Sequence, residues 1–157
     1  MPRRPREEEA HAIHHVFARG VKAAPIFVDE HDHLRYLWFL RRAERVQGWR
    51  CHTYCLMTNH VHLLVETPVP NLGTGMRQFH GDYGLEFNRR HGGAGHLFQS
   101  RFGSVRVKTD EHLITVARYI AENPVKAGLC DRPTDWRWSH VPATIKGLTL
   151  NEGSDPQ

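Results

Sequence analysis

Residues 49–66 have the sequence WRCHTYCLMTNHVHLLVE, in which two largely apolar stretches flank the polar pair Thr58–Asn59. β-Branched, aromatic and aliphatic residues predict a strand on each side of this pair, over 49–57 and 60–66. Two strands joined by so short a turn form an antiparallel hairpin. We therefore expect this hairpin to lie inside an antiparallel sheet whose other strands come from the rest of the chain.

The other elements follow from the spacing of apolar residues on either side of the hairpin. This spacing predicts a strand over 12–18, helices over 29–46 and 71–90, extended chain over 97–108 and a third helix that opens at Asp110. Pro124 is expected to break or bend the third helix near Asn123, because proline disfavours helical dihedrals in the residue before it. The order of the elements predicts an α+β fold: a ferredoxin-like antiparallel sheet with helices on one face and an additional C-terminal helix that carries Tyr119.

Length and composition indicate one basic domain. The chain has 157 residues, and we expect a single domain over 11–147 between a disordered tail of mixed charge at 1–10 and a flexible tail at 148–157. The formal net charge of +4 favours a polyanionic partner, and thirteen histidines supply metal ligands. Three cysteines argue against a disulfide framework, and no stretch has the pattern of a signal peptide or a membrane span. We therefore expect a cytoplasmic protein without a membrane partner.

A pair of histidines on the second strand of the hairpin carries the sharpest chemical signal. His60 and His62 are two residues apart, so their side chains point to the same face of the strand. Their Cα atoms would lie roughly 6.5–7 Å apart, which lets two imidazoles bind one ion at about 2.1 Å. The alternative is a pair of half-exposed polar residues without a ligand. A zinc site at Cys51 and Cys55 is rejected, because four residues of strand span about 13 Å.

The third helix places a phenol and an amide on one flank. Tyr119 and Asn123 are four residues apart and are therefore neighbours on the helix surface. The Asn123 oxygen could complete a metal site with two imidazoles, and a phenol beside the ion could attack a polarised phosphorus. The alternative is structural: a tyrosine that covers the edge of the core and an asparagine that ends a helix before proline. The rival nucleophiles are Tyr36, Tyr54 and Tyr83. Tyr54 lies on a strand of the expected core, and the other two lie within apolar helical stretches.

Several separate segments resemble the REP-associated tyrosine transposases, a branch of the single-tyrosine HUH transposases that are similar to IS200 transposases. These segments are 54–64 (YCLMTNHVHLL), 87–91 (FNRRH), 95–102 (GHLFQSRF), 118–120 (RYI), 123–129 (NPVKAGL) and 135–139 (DWRWS). They occur in the order typical of the family and span roughly residues 11 to 147. The sequence departs from the usual family pattern at Val21, Thr58 and Glu122.

The resemblance implies a metal-dependent endonuclease and strand transferase that acts on single-stranded DNA at hairpins or palindromic repeats. His60, His62 and Asn123 match the positions that bind Mg²⁺ or Mn²⁺, and Tyr119 matches the nucleophile that forms a 5′-phosphotyrosine intermediate. The family also implies a nucleoid-associated protein of prokaryotic type. Members of the family act as monomers or homodimers, and we favour a monomer for this protein.

The stretch from residue 89 to residue 108 is basic and aromatic, and we expect it to contact DNA. Arginine and lysine bind phosphates, and aromatic rings stack on unpaired bases. The expected contacts are Arg89, Arg90, Arg101, Phe102, Arg106 and Lys108. The alternative is an ordinary solvated surface with at least one phenylalanine of Phe98 and Phe102 in the core. Trp136 and Trp138 are expected to pack the C-terminal segment onto the domain.

Three other functions remain open on the sequence alone. A rolling-circle replication initiator uses the same histidine pair, but it usually has a lysine where this chain has Glu122. A non-catalytic nucleic-acid-binding module would share the fold without strand cleavage. A host-retained former transposase would bind palindromic repeats without moving itself.

Overall fold

The hairpin at residues 49–66 forms the inner part of an antiparallel sheet. The computed structural model describes residues 10–142, within which five strands have the order β4-β1-β3-β2-β5. The strands are β1 Ala12–Arg19, β2 Arg50–Leu56, β3 His60–Thr67, β4 Gly103–Val107 and β5 Ser139–His140. The central strand β3 pairs with β1 on one side and with β2 on the other. The predicted α+β antiparallel sheet is confirmed.

Three helices cover the sheet, and two of them begin at a side-chain cap. They are α1 Glu30–Gln47, α2 Leu72–His91 and α3 Asp110–Lys126. The Asp29 side chain accepts a hydrogen bond from the Asp32 amide at the start of α1, and Gly48 ends that helix in the left-handed conformation. At α3 the cap is Thr109, whose hydroxyl accepts from the His112 amide, so the helix opens at Asp110 as predicted.

The two faces of the sheet carry different helices. Helices α1 and α2 pack on the face that contains Val61, Leu63 and Val65 of β3. Helix α3 packs through Val116 and Ile120 on the opposite face, against a smaller apolar cluster of Cys55, Met57, Leu64 and Val107. Side chains alternate along a strand, so β3 is buried on both faces. This arrangement places α3 over the face to which His60 and His62 belong.

Two of the predicted element boundaries are wrong. Pro124 lies inside α3, which continues to Lys126, because proline here removes a single hydrogen bond close to the end of the helix. The carbonyls of Asn123 and Pro124 still accept from the amides of Ala127 and Leu129. The extended stretch over 97–108 contains β4 only at its end; Phe98 forms an isolated bridge with Gly20.

The C-terminal part of the described chain is attached through its tryptophans, as predicted. The Trp136 indole donates to the Leu56 carbonyl at 3.0 Å, and the Trp138 ring stacks on His33 with 4.3 Å between centroids. The two predicted tails lie outside the described residues, apart from Ala10. Between residues 10 and 142, no helix has the length and apolar character needed to cross a membrane.

Candidate active site

The paired histidines occupy the face of β3 that α3 covers, as the alternation predicted. In the antiparallel register, His60 lies opposite Arg19 and His62 lies opposite Phe17 of β1. The two imidazole centroids are 5.2 Å apart, and the ring planes are nearly perpendicular. Both rings are held by a rigid inner strand, which is the support that a metal site needs.

Helix α3 brings Asn123 to the histidines. The Asn123 Oδ1 atom is 3.4 Å from Nε2 of His60, and its Nδ2 atom is 3.4 Å from Nε2 of His62. Two ligand atoms that share one cation at about 2.1 Å lie roughly 3.0–3.4 Å apart, so the separation between Asn123 Oδ1 and His60 Nε2 suits a shared ion. The predicted meeting of two imidazoles and an amide therefore occurs within one chain.

Tyr119 lies one turn before Asn123 and borders the same site. Its ring stands edge-on to His62, with 5.5 Å between centroids, and 6.0 Å from the ring of His15. The side chain is 44% exposed, unlike Tyr36 and Tyr83, which are buried in the core. Among these tyrosines, Tyr119 combines access to solvent with contact to the histidine pair.

The nitrogen of each histidine that points away from Asn123 also has a partner. His60 Nδ1 donates to Asn59 Oδ1 at 2.8 Å, and the Asn59 amide is oriented by its own bond to the Ala23 carbonyl. His62 Nδ1 is 3.1 Å from Nε2 of His15. The bond to Asn59 leaves a lone pair on His60 Nε2, which faces the lone pairs of the Asn123 oxygen. A cation between these two acceptors would turn a repulsive contact into a favourable one.

The site keeps its imidazoles neutral. Burial, together with the neighbouring His15, His60 and Arg19, lowers the pKa of His62 to about 3. Burial also lowers the pKa of His60, although the Asn123 oxygen opposes this effect because it would accept a hydrogen bond from the protonated ring, and burial lowers the pKa of His15. A neutral imidazole is the form that binds a metal ion. Between residues 10 and 142, no group of three or more His, Cys, Asp or Glu side chains is arranged to hold a metal. The candidate site differs from such a group because its third member is the Asn123 amide.

His60, His62 and Tyr119 line a cleft of about 540 Å³ between β1, β3, β4 and α3. Sequence reasoning missed five of the residues that line it, which are His15, Phe17, Arg19, Val105 and His112. The first three alternate along β1 and so share a face, which the sequence does show. Their position beside the histidines depends on the pairing of β1 with β3, for which the sequence has no local signal.

The residues expected to contact DNA do not form one surface. Phe102 is 7% exposed and packs in the core under α1 and α2, which agrees with the alternative that at least one of Phe98 and Phe102 fills the core. Arg90 forms ion pairs with Asp29 at 2.6 Å and with Asp32 at 2.8 Å, so a phosphate would have to compete with two carboxylates. These ion pairs join the end of α2 to the start of α1.

Two of the other four basic residues lie on the side of the sheet opposite the histidine pair. Arg106 pairs with His14 on β1, on the face opposite the histidine pair. Arg89 is exposed near the end of α2, which also packs on that opposite face. Arg101 and Lys108 are exposed, and they precede and follow β4 along the chain. Arg19 is the exposed arginine of the cleft itself.

Comparison with known proteins identifies a family and a similar fold. Residues 9–123 match the family model described as "Transposase IS200 like". A solved structure described as "Structure of the REP associates tyrosine transposase bound to a REP hairpin" has a similar fold, with a TM-score of 0.71 over 88% of this chain and 82% of that chain at 18% identity. A comparison with curated proteins gives no match.

Proposed function

Because this chain belongs to the IS200-like transposase family, we propose that it is a metal-dependent enzyme that cleaves and rejoins single-stranded or hairpin DNA at palindromic repeats. The observation that carries the proposal is the convergence of His60, His62, Asn123 and Tyr119 on one cleft. The REP hairpin bound by the structurally similar transposase supports the choice of substrate.

The two imidazoles and the Asn123 oxygen would hold Mg²⁺ or Mn²⁺. When bound, the ion would place positive charge at a non-bridging oxygen of the scissile phosphate and stabilise the charge that develops there. His15 and Asn59 fix the orientation of the two imidazoles through their Nδ1 atoms. Such outer hydrogen bonds commonly determine how well a histidine ligand binds.

Tyr119 supplies the nucleophile in the proposed reaction. Its phenolic oxygen attacks the scissile phosphorus and loses its proton to solvent in the open cleft. The bond between phosphorus and the 3′ oxygen of the preceding nucleotide breaks, and that oxygen takes up a proton from solvent, which leaves a 5′-phosphotyrosine and a free 3′-hydroxyl. Attack by this or another 3′-hydroxyl restores a phosphodiester and releases Tyr119, so strand joining needs no nucleotide cofactor.

The charges around the cleft favour a polyanionic substrate. Arg19 lies opposite His60 on the adjacent strand and is exposed. The Lys126 ammonium is 5.7 Å from the ring centroid of Tyr119. Both cations are placed where the phosphates next to the scissile one would pass. Because one chain supplies the ligands and the nucleophile, we propose that a monomer is catalytically complete, and that it works at the nucleoid of a prokaryotic cytoplasm.

A labelled hairpin oligonucleotide with single-stranded flanks tests the reaction. With Mn²⁺, a 3′-labelled oligonucleotide should give a protein-linked band on a denaturing gel, and a 5′-labelled one should give a shorter free fragment. Tyr119→Phe, His62→Ala and addition of EDTA should each abolish the linked band. Tyr54→Phe is the matched control, because it removes a hydroxyl from a half-buried tyrosine of β2.

Two results would overturn the proposal. A protein-linked band that persists in Tyr119→Phe would assign the nucleophile to another residue. Retention of the oligonucleotide without any covalent product, in Mg²⁺ and in Mn²⁺, would leave a non-catalytic DNA-binding protein.

A further inference from the structure

An exposed aromatic ring lies inside the cleft, on a strand where aromatic rings are normally buried. Phe17 belongs to β1, which has β4 on one side and β3 on the other, yet its side chain is 39% exposed. The ring belongs to the same face as His60 and His62 and lines the same cleft. The proposed reaction does not use it.

The ring of Phe17 occupies space that a side chain on the neighbouring strand would otherwise fill. Gly103 of β4 lies opposite Phe17, and a Cβ atom at Gly103 would overlap the Cε2, Cζ and Cδ2 atoms of the ring. The ring therefore lies over the backbone of Gly103. His15, two residues earlier on β1, contacts it at a tilted angle with 5.4 Å between centroids. One side of the ring is supported by the sheet, and the remaining surface is open to the cleft.

The position of Phe17 relative to the reacting groups indicates what it binds. It lies one strand away from His62, and strands in a sheet are about 4.8 Å apart, which is on the scale of a single nucleotide. Val105 of β4 lies on the same face, is 47% exposed and extends the apolar surface along the cleft. An apolar surface next to a phosphate-binding site, with Arg19 two residues along the strand, suits a nucleobase better than it suits a peptide.

We propose that Phe17, supported by Gly103 and extended by Val105, stacks on the unpaired base adjacent to the scissile phosphate. This inference rests on the proposed function and defines its substrate further. Stacking on an aromatic ring tolerates any base, so Phe17 distinguishes an unpaired nucleotide from a paired one instead of reading sequence. A base inside a duplex has both faces covered by its neighbours and cannot stack on Phe17. The cleft therefore selects for a single strand at the cleavage position.

The test compares loss of the ring with loss of the base. Affinities are measured by fluorescence anisotropy in the Tyr119→Phe background with Mg²⁺, on hairpins in which each flanking nucleotide in turn is abasic. Phe17→Ala should weaken binding of the intact oligonucleotide about tenfold. It should have little further effect on the one oligonucleotide that lacks the stacked base. Phe17→Trp should retain the affinity, and Phe17→Leu, which keeps an apolar side chain, should behave like Phe17→Ala.

Trp38→Ala is the control, since Trp38 is an exposed aromatic of α1 on the other side of the sheet and should leave the affinity unchanged. The inference is overturned if Phe17→Ala weakens binding of every abasic oligonucleotide equally or weakens binding of none. It is also overturned if the variant changes self-association of the protein instead. These binding measurements need no cleavage. An absent phosphotyrosine band would therefore count against the proposed function alone, and an additive effect of base and ring would count against Phe17 alone.

Discussion

The hydrogen bond between His15 and His62 allows a quantitative test of how the site is built. Nε2 of His15 is 3.1 Å from Nδ1 of His62, whose other nitrogen faces Asn123. The side chain of His62 is 7% exposed, so water has little access to Nδ1 if His15 is removed. His15→Leu keeps much of the volume of the side chain and deletes this hydrogen bond.

Loss of this hydrogen bond should weaken both the fold and the metal site. Leaving a buried polar group without a partner costs about 1–3 kcal/mol. Loss of a hydrogen bond to a metal-binding histidine typically reduces metal affinity about 10–100-fold, which corresponds to about 1.4–2.7 kcal/mol. We therefore expect the dissociation constant for Mn²⁺ to rise by one to two orders of magnitude in His15→Leu.

Titration calorimetry with Mn²⁺, in the absence of DNA, measures this constant directly. His15→Gln should recover part of the affinity, because its amide oxygen can accept the same hydrogen bond from His62 Nδ1. His31→Leu, at an exposed position of α1, should bind Mn²⁺ like the unmodified protein. The reasoning is refuted if His15→Leu keeps its unfolding midpoint and binds Mn²⁺ with unchanged affinity.

Two further predictions concern stability. Gly75→Ala in α2 should lower the free energy of unfolding by about 1–3 kcal/mol, because the new Cβ would overlap the indole of Trp49. Gly81→Ala in the same helix is the matched control. Its Cβ would meet open space, so this variant should raise the free energy of unfolding by up to about 1 kcal/mol. Urea denaturation measures both, and equal effects would contradict the packing argument. Burial lowers the pKa of His80 to about 3, so the unfolded chain binds a proton at a higher pH than the folded protein does. The stability that neutral His80 contributes is present above pH 6.5. It is lost as the pH falls from 6.5 towards 3. Between pH 7 and pH 5 this loss amounts to about 2 kcal/mol, and His80→Gln, which can still pair with the Tyr36 hydroxyl, should show a correspondingly smaller decrease. An identical decrease in the protein and the variant would assign the pH dependence to other groups.

Local periodicity was sufficient to predict the parts of the site that lie on single elements. The alternation of residues 60–65 places two histidines on one face of a strand whatever its neighbours are. The spacing of four residues places Tyr119 beside Asn123 on any helix. Pro124 misled the prediction because its effect depends on its distance from the end of the helix, and the end is fixed by packing of α3 on the sheet.

The stretch that was predicted to contact DNA shows where sequence proximity fails. Residues 89–108 are close in the chain, but Phe102 and Arg106 belong to the face of the sheet that α1 and α2 cover. Arg90 lies against carboxylates of α1 that precede it by about sixty residues. Neither the alternation across β4 nor the meeting of two helix ends can be read from composition.

The sequence by itself determined the strand–turn–strand unit, the shared face of His60 and His62, and the flank shared by Tyr119 and Asn123, because each of these depends on bond geometry over a few residues. The tertiary structure alone decided that the flank of α3 meets the face of β3, and that β1 contributes His15, Phe17 and Arg19 to the same cleft. Those contacts depend on strand register and helix packing, which are set by burial of apolar side chains that are far apart in the chain.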